Sequence, residues 1–152
     1  MLEGWRIVKA KHAPTAFTGE GAAKTGGRWN SRGMPVIYAS STQSLAALES
    51  LVHLNPPVLF RYVAFRIRFD EALLDTVPRK SLPEDWSAQP PAAASKIIGD
   101  RWVRNARSAV LSVPSTIIPS ETNYLLNPAH PDFRKISIGK AEPFAFDPRL
   151  VE

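Results

Sequence analysis

Three polar residues stand where an apolar pattern would not place them. Arg28 follows a glycine pair in Gly26-Gly27-Arg28-Trp29-Asn30. Tyr38 sits in the short apolar run Val36-Ile37-Tyr38-Ala39-Ser40, and Glu49 interrupts Leu45-Ala46-Ala47-Leu48-Glu49-Ser50-Leu51-Val52. Glycine lets backbone approach a ligand closely, and the planar arginine fork that follows suits a pyrophosphate through parallel charge-assisted hydrogen bonds. A tyrosine ring stacks on a base or a nicotinamide, and a carboxylate stabilises the oxocarbenium-like charge that grows as a glycosidic bond breaks. Brought together by about twenty residues of chain, the three make equipment for cutting a nucleotide glycosidic bond. Each also has a plainer reading: a surface arginine after a turn, a half-buried strand tyrosine, and a buried carboxylate paired with an arginine.

The elements that must position these groups are legible from pattern. Trp5 to Lys9 reads as an opening strand, and Met34 to Ala39 as a second strand, with Arg32-Gly33 as the turn before it. The next segment is a helix, with Ser40 and Gln43 as a capping box and Asn55-Pro56-Pro57 as its stop. Leu45, Leu48 and Val52 share its apolar face with Leu51 at the edge, and Glu49 lies on the flank of that stripe, where a carboxylate needs a partner or a task.

From Val63 to Phe69 the chain alternates, predicting a half-buried strand with Arg66 and Arg68 outward, and four prolines between residues 76 and 92 mark a surface excursion. Ala92 to Arg107 reads as a second helix with Ile97, Ile98, Trp102 and Val103 inward and Gly99 as a blemish. Ala109 to Val113 reads as a strand that Ser115 to Ile118 resumes. Residues 119–133 form a polar, proline-bearing stretch, and Lys135 to Gly139 and Pro143 to Phe146 are closing strands. Strands broken by two helices, without regular βαβ alternation, indicate an α+β domain spanning residues 1–152.

Bulk properties narrow the function classes. A chain of 152 residues with 44% hydrophobic and 22% charged residues suits one soluble globular domain. No cysteine is present, so disulfides and thiolate metal sites are excluded; His12, His53 and His130 lack metal-ligand spacing, and no metal is expected. The N-terminus lacks a signal-peptide pattern and no apolar run spans a membrane, so the expected location is cytoplasmic. The net charge of +5 is scattered rather than clustered, which argues against direct nucleic-acid binding and leaves room for a pyrophosphate or an acidic partner. Ser115 lacks a Gly-x-Ser-x-Gly elbow, and neither a dinucleotide fingerprint nor a Walker-type phosphate loop is present.

Five motifs in order carry a family resemblance: Gly27-Arg28-Trp29-Asn30, Val36-Ile37-Tyr38-Ala39-Ser40, Ala46-Ala47-Leu48-Glu49, Val113-Pro114-Ser115, and Asn123-Tyr124-Leu125-Leu126-Asn127-Pro128-Ala129-His130-Pro131-Asp132-Phe133. Together they resemble the RES-domain family, the toxin half of bacterial RES–Xre toxin–antitoxin modules, whose signature arginine, glutamate and serine map to Arg28, Glu49 and Ser115. The resemblance implies an ADP-ribosyltransferase-like split β-sheet with flanking helices that cradles NAD as a substrate, with no further cofactor. It also implies cleavage of the bond between nicotinamide and ribose, with water, phosphate or a protein as acceptor, and growth arrest through NAD depletion. By carry-over, Arg28 holds the pyrophosphate or its ribose neighbour, Tyr38 packs on the nicotinamide side, and Glu49 stabilises the ribose cation. Ser115 lines the pocket as a hydrogen-bonding group, and Asn123 and Asn127 join the nucleotide site. The implied partner is an Xre-type helix-turn-helix antitoxin, expected to enter a cleft rimmed by Arg28 and residues 119–133. Two alternatives stand beside NAD degradation: a protein ADP-ribosyltransferase toxin, and an RNA-binding or RNA-cleaving toxin.

Overall fold

The alternation from Val63 to Phe69 becomes the strand that organises one half of the sheet. In the computed structural model, which describes residues 1–53 and 60–151, β3 (Tyr62–Phe69) buries Phe65, Ile67 and Phe69 and exposes Arg66 and Arg68. Val63 is half-buried, whereas Tyr62 and Ala64 are buried, because that end of the strand is covered on both faces. β1 (Leu2–Lys9) begins earlier than its apolar run suggested and pairs antiparallel with β3 from Leu2↔Phe69 to Lys9↔Tyr62. The short strands β7 (Ser137–Ile138) and β8 (Glu142–Phe144) close on the other edge of β3.

The second half of the sheet is β4 (Leu74–Thr76), β5 (Val110–Pro114), β6 (Thr122–Leu126) and β2 (Ile37–Ser40), and the full order is β4-β5-β6-β2-β1-β3-β7. β2 starts three residues later than the sequence suggested, because Pro35 has no N–H to donate to a ladder. The two halves meet at a seam where β1 and β2 share a single registered pair, Trp5↔Ser40. At that seam the half-buried Arg6 replaces ladder bonds with side-chain bonds, donating from Nη1 to Tyr38 O (2.8 Å) and from Nε to Ala16 O (2.7 Å). Desolvation pulls its guanidinium down to about 10, which leaves it charged at neutral pH. The result is an α+β fold with a split, mixed sheet.

Residues 119–133, expected to be a polar loop, contain the central strand β6, with Tyr124, Leu125, Leu126 and Asn127 buried. Its asparagines disguised it. A five-residue strand flanked by β2 and β5 is covered on both faces and therefore shows no alternation. Ser115 to Ile118 does not resume β5; the chain bends back there, and Ser115 N donates to Glu121 O at 2.9 Å.

Among the described residues three α-helices accompany the sheet: α1 (Glu20–Thr25), α2 (Gln43–Leu51) and α3 (Ala93–Arg104). The cap of α2 is Thr42, whose hydroxyl accepts from Leu45 N, and not Ser40, which remains in β2; the proposed stop at Asn55-Pro56-Pro57 lies outside the described residues. Leu48 and Val52 are exposed, at 37% and 61%, and the inward face carries Leu45, Ala46 and the half-buried Glu49. In α3 the expected apolar face is likewise rotated. Ile97 is 48% exposed, and the buried stripe is Ser95, Gly99, Asp100 and Trp102. No helix among the described residues is long and apolar enough to cross a membrane.

Paired residues of neighbouring strands point to the same face of a sheet. The registers therefore place Trp5, Tyr38, Ser40, Asn123, Leu125 and Val113 on one face. α2 packs there over an apolar cluster built on Ile7, Ala46 and Tyr62 with Trp5 against it, while Trp102 of α3 joins Trp29, Val36, Leu111, Val113 and Leu125 in another. Between these clusters runs a polar strip, Tyr38, Ser40 and Asn123, close to the seam.

Candidate active site

Glu49 reaches the polar strip from α2. Its Oε1 accepts two hydrogen bonds, from Ser115 Oγ at 2.7 Å and from Asn123 Nδ2 at 2.7 Å. The directions are forced. Ile117 N and Ile118 N both donate to Ser115 Oγ at 3.1 Å, so the serine hydroxyl spends its proton on the carboxylate. Oε2 takes no hydrogen bond among the described residues, and no buried side-chain polar atom there lacks a partner, so this oxygen faces accessible space. One oxygen anchors the carboxylate while the other is presented.

Ser115 is fully buried. It meets Glu49 as a hydrogen-bonding group, the chemistry that the resemblance implied for it, and its burial keeps that contact out of solvent. A hydroxyl fixed by two backbone N–H groups and aimed at a carboxylate sets that carboxylate's rotamer.

Arg28 is presented in a similar way. Its Nη1 donates to Trp86 O (3.0 Å) and Ala88 O (2.8 Å), which uses that nitrogen and leaves Nε and Nη2 without a bond among the described residues. Such an Nε–Nη2 edge is the bidentate edge for a phosphate or carboxylate. Burial lowers the Arg28 pKa, and the negative charge of Glu49 opposes that shift, so the guanidinium and the carboxylate act on each other.

Tyr38 holds the Arg28 turn. Its hydroxyl donates to Asn30 Oδ1 at 2.6 Å and accepts from Trp29 N at 3.1 Å. Burial pushes its pKa well above the usual phenol range, with the Trp29 N–H as the main opposing influence, so the hydroxyl stays protonated at neutral pH and can donate. With both of its capacities engaged, what Tyr38 can offer a ligand is its ring.

The turn itself is clamped from α3, which sequence reasoning missed. Ser95 Oγ donates to Arg28 O (2.7 Å), and Asp100 accepts from Ser31 N (2.9 Å) and Ser31 Oγ (2.6 Å). Gly99 lets the helix touch the turn: a Cβ there would lie 1.6 Å from Trp29 O. The buried Asn30 ties the turn's far side, donating from Nδ2 to Ala22 O (2.9 Å) and Met34 O (3.1 Å). At Gly27 a Cβ would meet Tyr38 Oη at 2.8 Å, so this glycine too is required by close packing. A signal existed in α3, since Ser95, Gly99 and Trp102 recur at helical spacing, but a small, polar face does not register as apolar periodicity.

The structure thus brings Arg28, Tyr38, Glu49, Ser115 and Asn123 into one constellation. Asn127 is not part of it. Buried at the end of β6, it accepts from Ala129 N (3.0 Å) and donates to Val103 O (3.4 Å), so its contacts close a turn against α3.

The split-sheet α+β fold thus leaves one edge of Arg28 and one oxygen of Glu49 without a bond among the described residues. The comparisons specify the family. The RES domain family model matches residues 3–147, and the chain belongs to the RES domain family. It is 40% identical over 153 residues to the Prs ADP-ribosylating toxin of Sphingobium sp. (strain YBL2), covering 97% of this chain and 95% of that protein. It is 38% identical to Toxin Res of Yersinia enterocolitica (96% and 97% covered) and 37% identical to Toxin Res of Photorhabdus laumondii (97% and 96% covered). Among solved structures, the M. tuberculosis MbcT–MbcA toxin–antitoxin complex contains a chain with the same fold, at TM-score 0.74 and 17% identity, with 99% of this chain and 86% of that one covered.

Proposed function

We propose that this protein is the toxin of a toxin–antitoxin pair and that it breaks the bond between nicotinamide and ribose in NAD. The observation that carries the reading is the half-anchored Glu49, with Oε1 held by Ser115 and Asn123 and Oε2 without a bond among the described residues, its charge acting on an arginine whose Nε–Nη2 edge is likewise unbonded among them. The relatives named as toxins, one of them as an ADP-ribosylating toxin, support it.

The chemistry asks little more of the protein. As the C1′–N bond breaks, its electron pair stays on the nicotinamide nitrogen and neutralises the pyridinium, so the leaving group needs no proton and the site needs no general acid. Positive charge moves onto the ribose. Glu49 Oε2 stabilises that charge and accepts from a ribose hydroxyl, Arg28 holds the pyrophosphate, and the Tyr38 ring supports the nicotinamide end. A nucleophile then adds to C1′ and gives up its proton to bulk water. With water the product is ADP-ribose, and with phosphate it is the corresponding phosphorolysis product.

The second reading keeps the same bond cleavage with a protein side chain as acceptor, and the name of the Sphingobium relative favours it. The partner in either case is an antitoxin of the Xre type. One experiment tests both readings. Antitoxin-free protein is incubated with NAD in water and in phosphate buffer, with EDTA present, and nucleotide products are identified by mass spectrometry. A parallel arm supplies labelled NAD and cell lysate. Free nicotinamide with ADP-ribose or its phosphorolysis product supports NAD degradation, and label confined to a protein band supports ADP-ribosylation. Intact NAD in every arm refutes both, and degraded RNA beside intact NAD would favour the nuclease alternative.

A further inference from the structure

Ser40 lies behind the constellation, on the seam strand, and nothing in the family signature assigns it a task. It is 3% exposed, and its Oγ is 2.7 Å from Asn123 Oδ1. The residues are cross-strand partners, Ser40↔Asn123, and Trp5↔Ser40 continues the same row across the seam. Because Ser40 does not cap α2, a task held by Thr42, its hydroxyl is available to the sheet face.

The direction of this contact follows from the carboxylate. An ionised Glu49 only accepts, so Asn123 must turn Nδ2 toward it, which turns Oδ1 toward Ser40 and makes Ser40 the donor. The chain therefore runs Ser40 to Asn123 to Glu49 Oε1, meeting the Ser115 bond on the same oxygen. Without the Ser40 hydroxyl, Asn123 Oδ1 loses its donor, and the amide rotates to find another and draws Nδ2 off the carboxylate.

We infer that Ser40 is a positioning residue for Glu49, acting through Asn123 to hold Oε1 so that Oε2 is aimed at the ribose. The inference rests on the proposed role of Glu49. Its own content is that Ser40 has no effect on the reaction except by way of Asn123.

A double-mutant cycle reads that content directly. Turnover of NAD, affinity for NAD measured on the Glu49→Gln protein with and without Ser40→Ala, and thermal midpoint are compared for Ser40→Ala, Asn123→Ala and the double variant. Ser40→Ala is expected to lower kcat roughly tenfold, the scale of one net hydrogen bond, with affinity changed less than about twofold. In the Asn123→Ala background the same substitution is expected to lower kcat no further than about twofold, because the route is already cut. Ser40→Thr, which keeps the hydroxyl, restores most of the activity. Should Ser40→Ala fail to fold, Ser40→Cys takes its place in the cycle.

A full Ser40→Ala loss that persists in the Asn123→Ala background, so that the two losses multiply, overturns the relay, as does a Ser40→Ala protein with unchanged kcat. If Glu49→Gln turns over NAD like the parent, the role of Glu49 fails and this inference with it. That outcome is distinguishable because it does not depend on Ser40.

Discussion

Gly99→Ala isolates the contact between α3 and the Arg28 turn. The added Cβ would lie 1.6 Å from Trp29 O and 2.7 Å from Trp29 C, where ordinary contact begins at 3.4 Å. The obstacle is backbone, with no flexible side chain to swing away, and a shortfall of about 1.8 Å exceeds the few tenths of an ångström by which a neighbour can give. Helix or turn must move bodily, breaking the bonds from Ser95 to Arg28 O and from Ser31 to Asp100. Overpacking of this kind costs about 3 kcal/mol or more. For a domain of this size that is a fall in thermal midpoint of roughly 6–12 °C. Displacing the turn also moves Arg28, so affinity for NAD should fall by about tenfold or more, the equivalent of about 1.4 kcal/mol.

The assay is thermal unfolding by circular dichroism together with NAD-turnover kinetics at a temperature where the variant is still folded. Gly21→Ala is the control: it lies within α1, nothing stands within 4 Å of its added Cβ, and it should be neutral or stabilising by roughly 0.5–1 kcal/mol. A Gly99→Ala protein that melts within about 2 °C of the parent and keeps its KM would refute the claim that α3 clamps the turn.

Three further outcomes are expected. Glu49→Gln keeps an oxygen for Ser115 and Asn123 but puts an uncharged amide in the place of Oε2, so kcat should drop about a hundredfold or more with NAD binding retained; an active variant in a turnover assay would return Glu49 to a structural role. Tyr38→Phe leaves Asn30 Oδ1 and Trp29 N without their partner, which should cost about 1–3 kcal/mol in denaturant unfolding and raise KM more than it lowers kcat; unchanged stability would mean that Tyr38 does not hold the turn. The antitoxin is expected to occupy the cleft beside Arg28 in competition with NAD, so calorimetry on Glu49→Gln should show weaker antitoxin binding at saturating NAD, and equal affinity would point to inhibition at a distance.

Much of this protein could be read from local sequence. The alternation around Phe65, Ile67 and Phe69 set β3 and its buried face, and the out-of-place polarity of Arg28, Tyr38 and Glu49 marked the candidate site, because a charge or phenol in an apolar run must be matched or used. Ordered motifs linked Ser115 and Asn123 to those three. Tertiary structure decided what each group is attached to. β6 hid as a polar loop because a strand covered on both faces needs no alternation, and its Asn123 is polar for the sake of Glu49 on another element. Gly99, Ser95 and Asp100 read as a weak helix face until the turn at Trp29 was laid against them, since a backbone–helix contact selects small and polar residues that carry no periodic apolar signal. Ser40 read as a helix cap because the local pattern fits one, and only the register of β2 with β6 turns its hydroxyl to Asn123. Sequence determined which residues are chemically out of place. The pairing of distant strands, whose energies depend on contacts many residues apart, decided which of their atoms are held and which are left free to act.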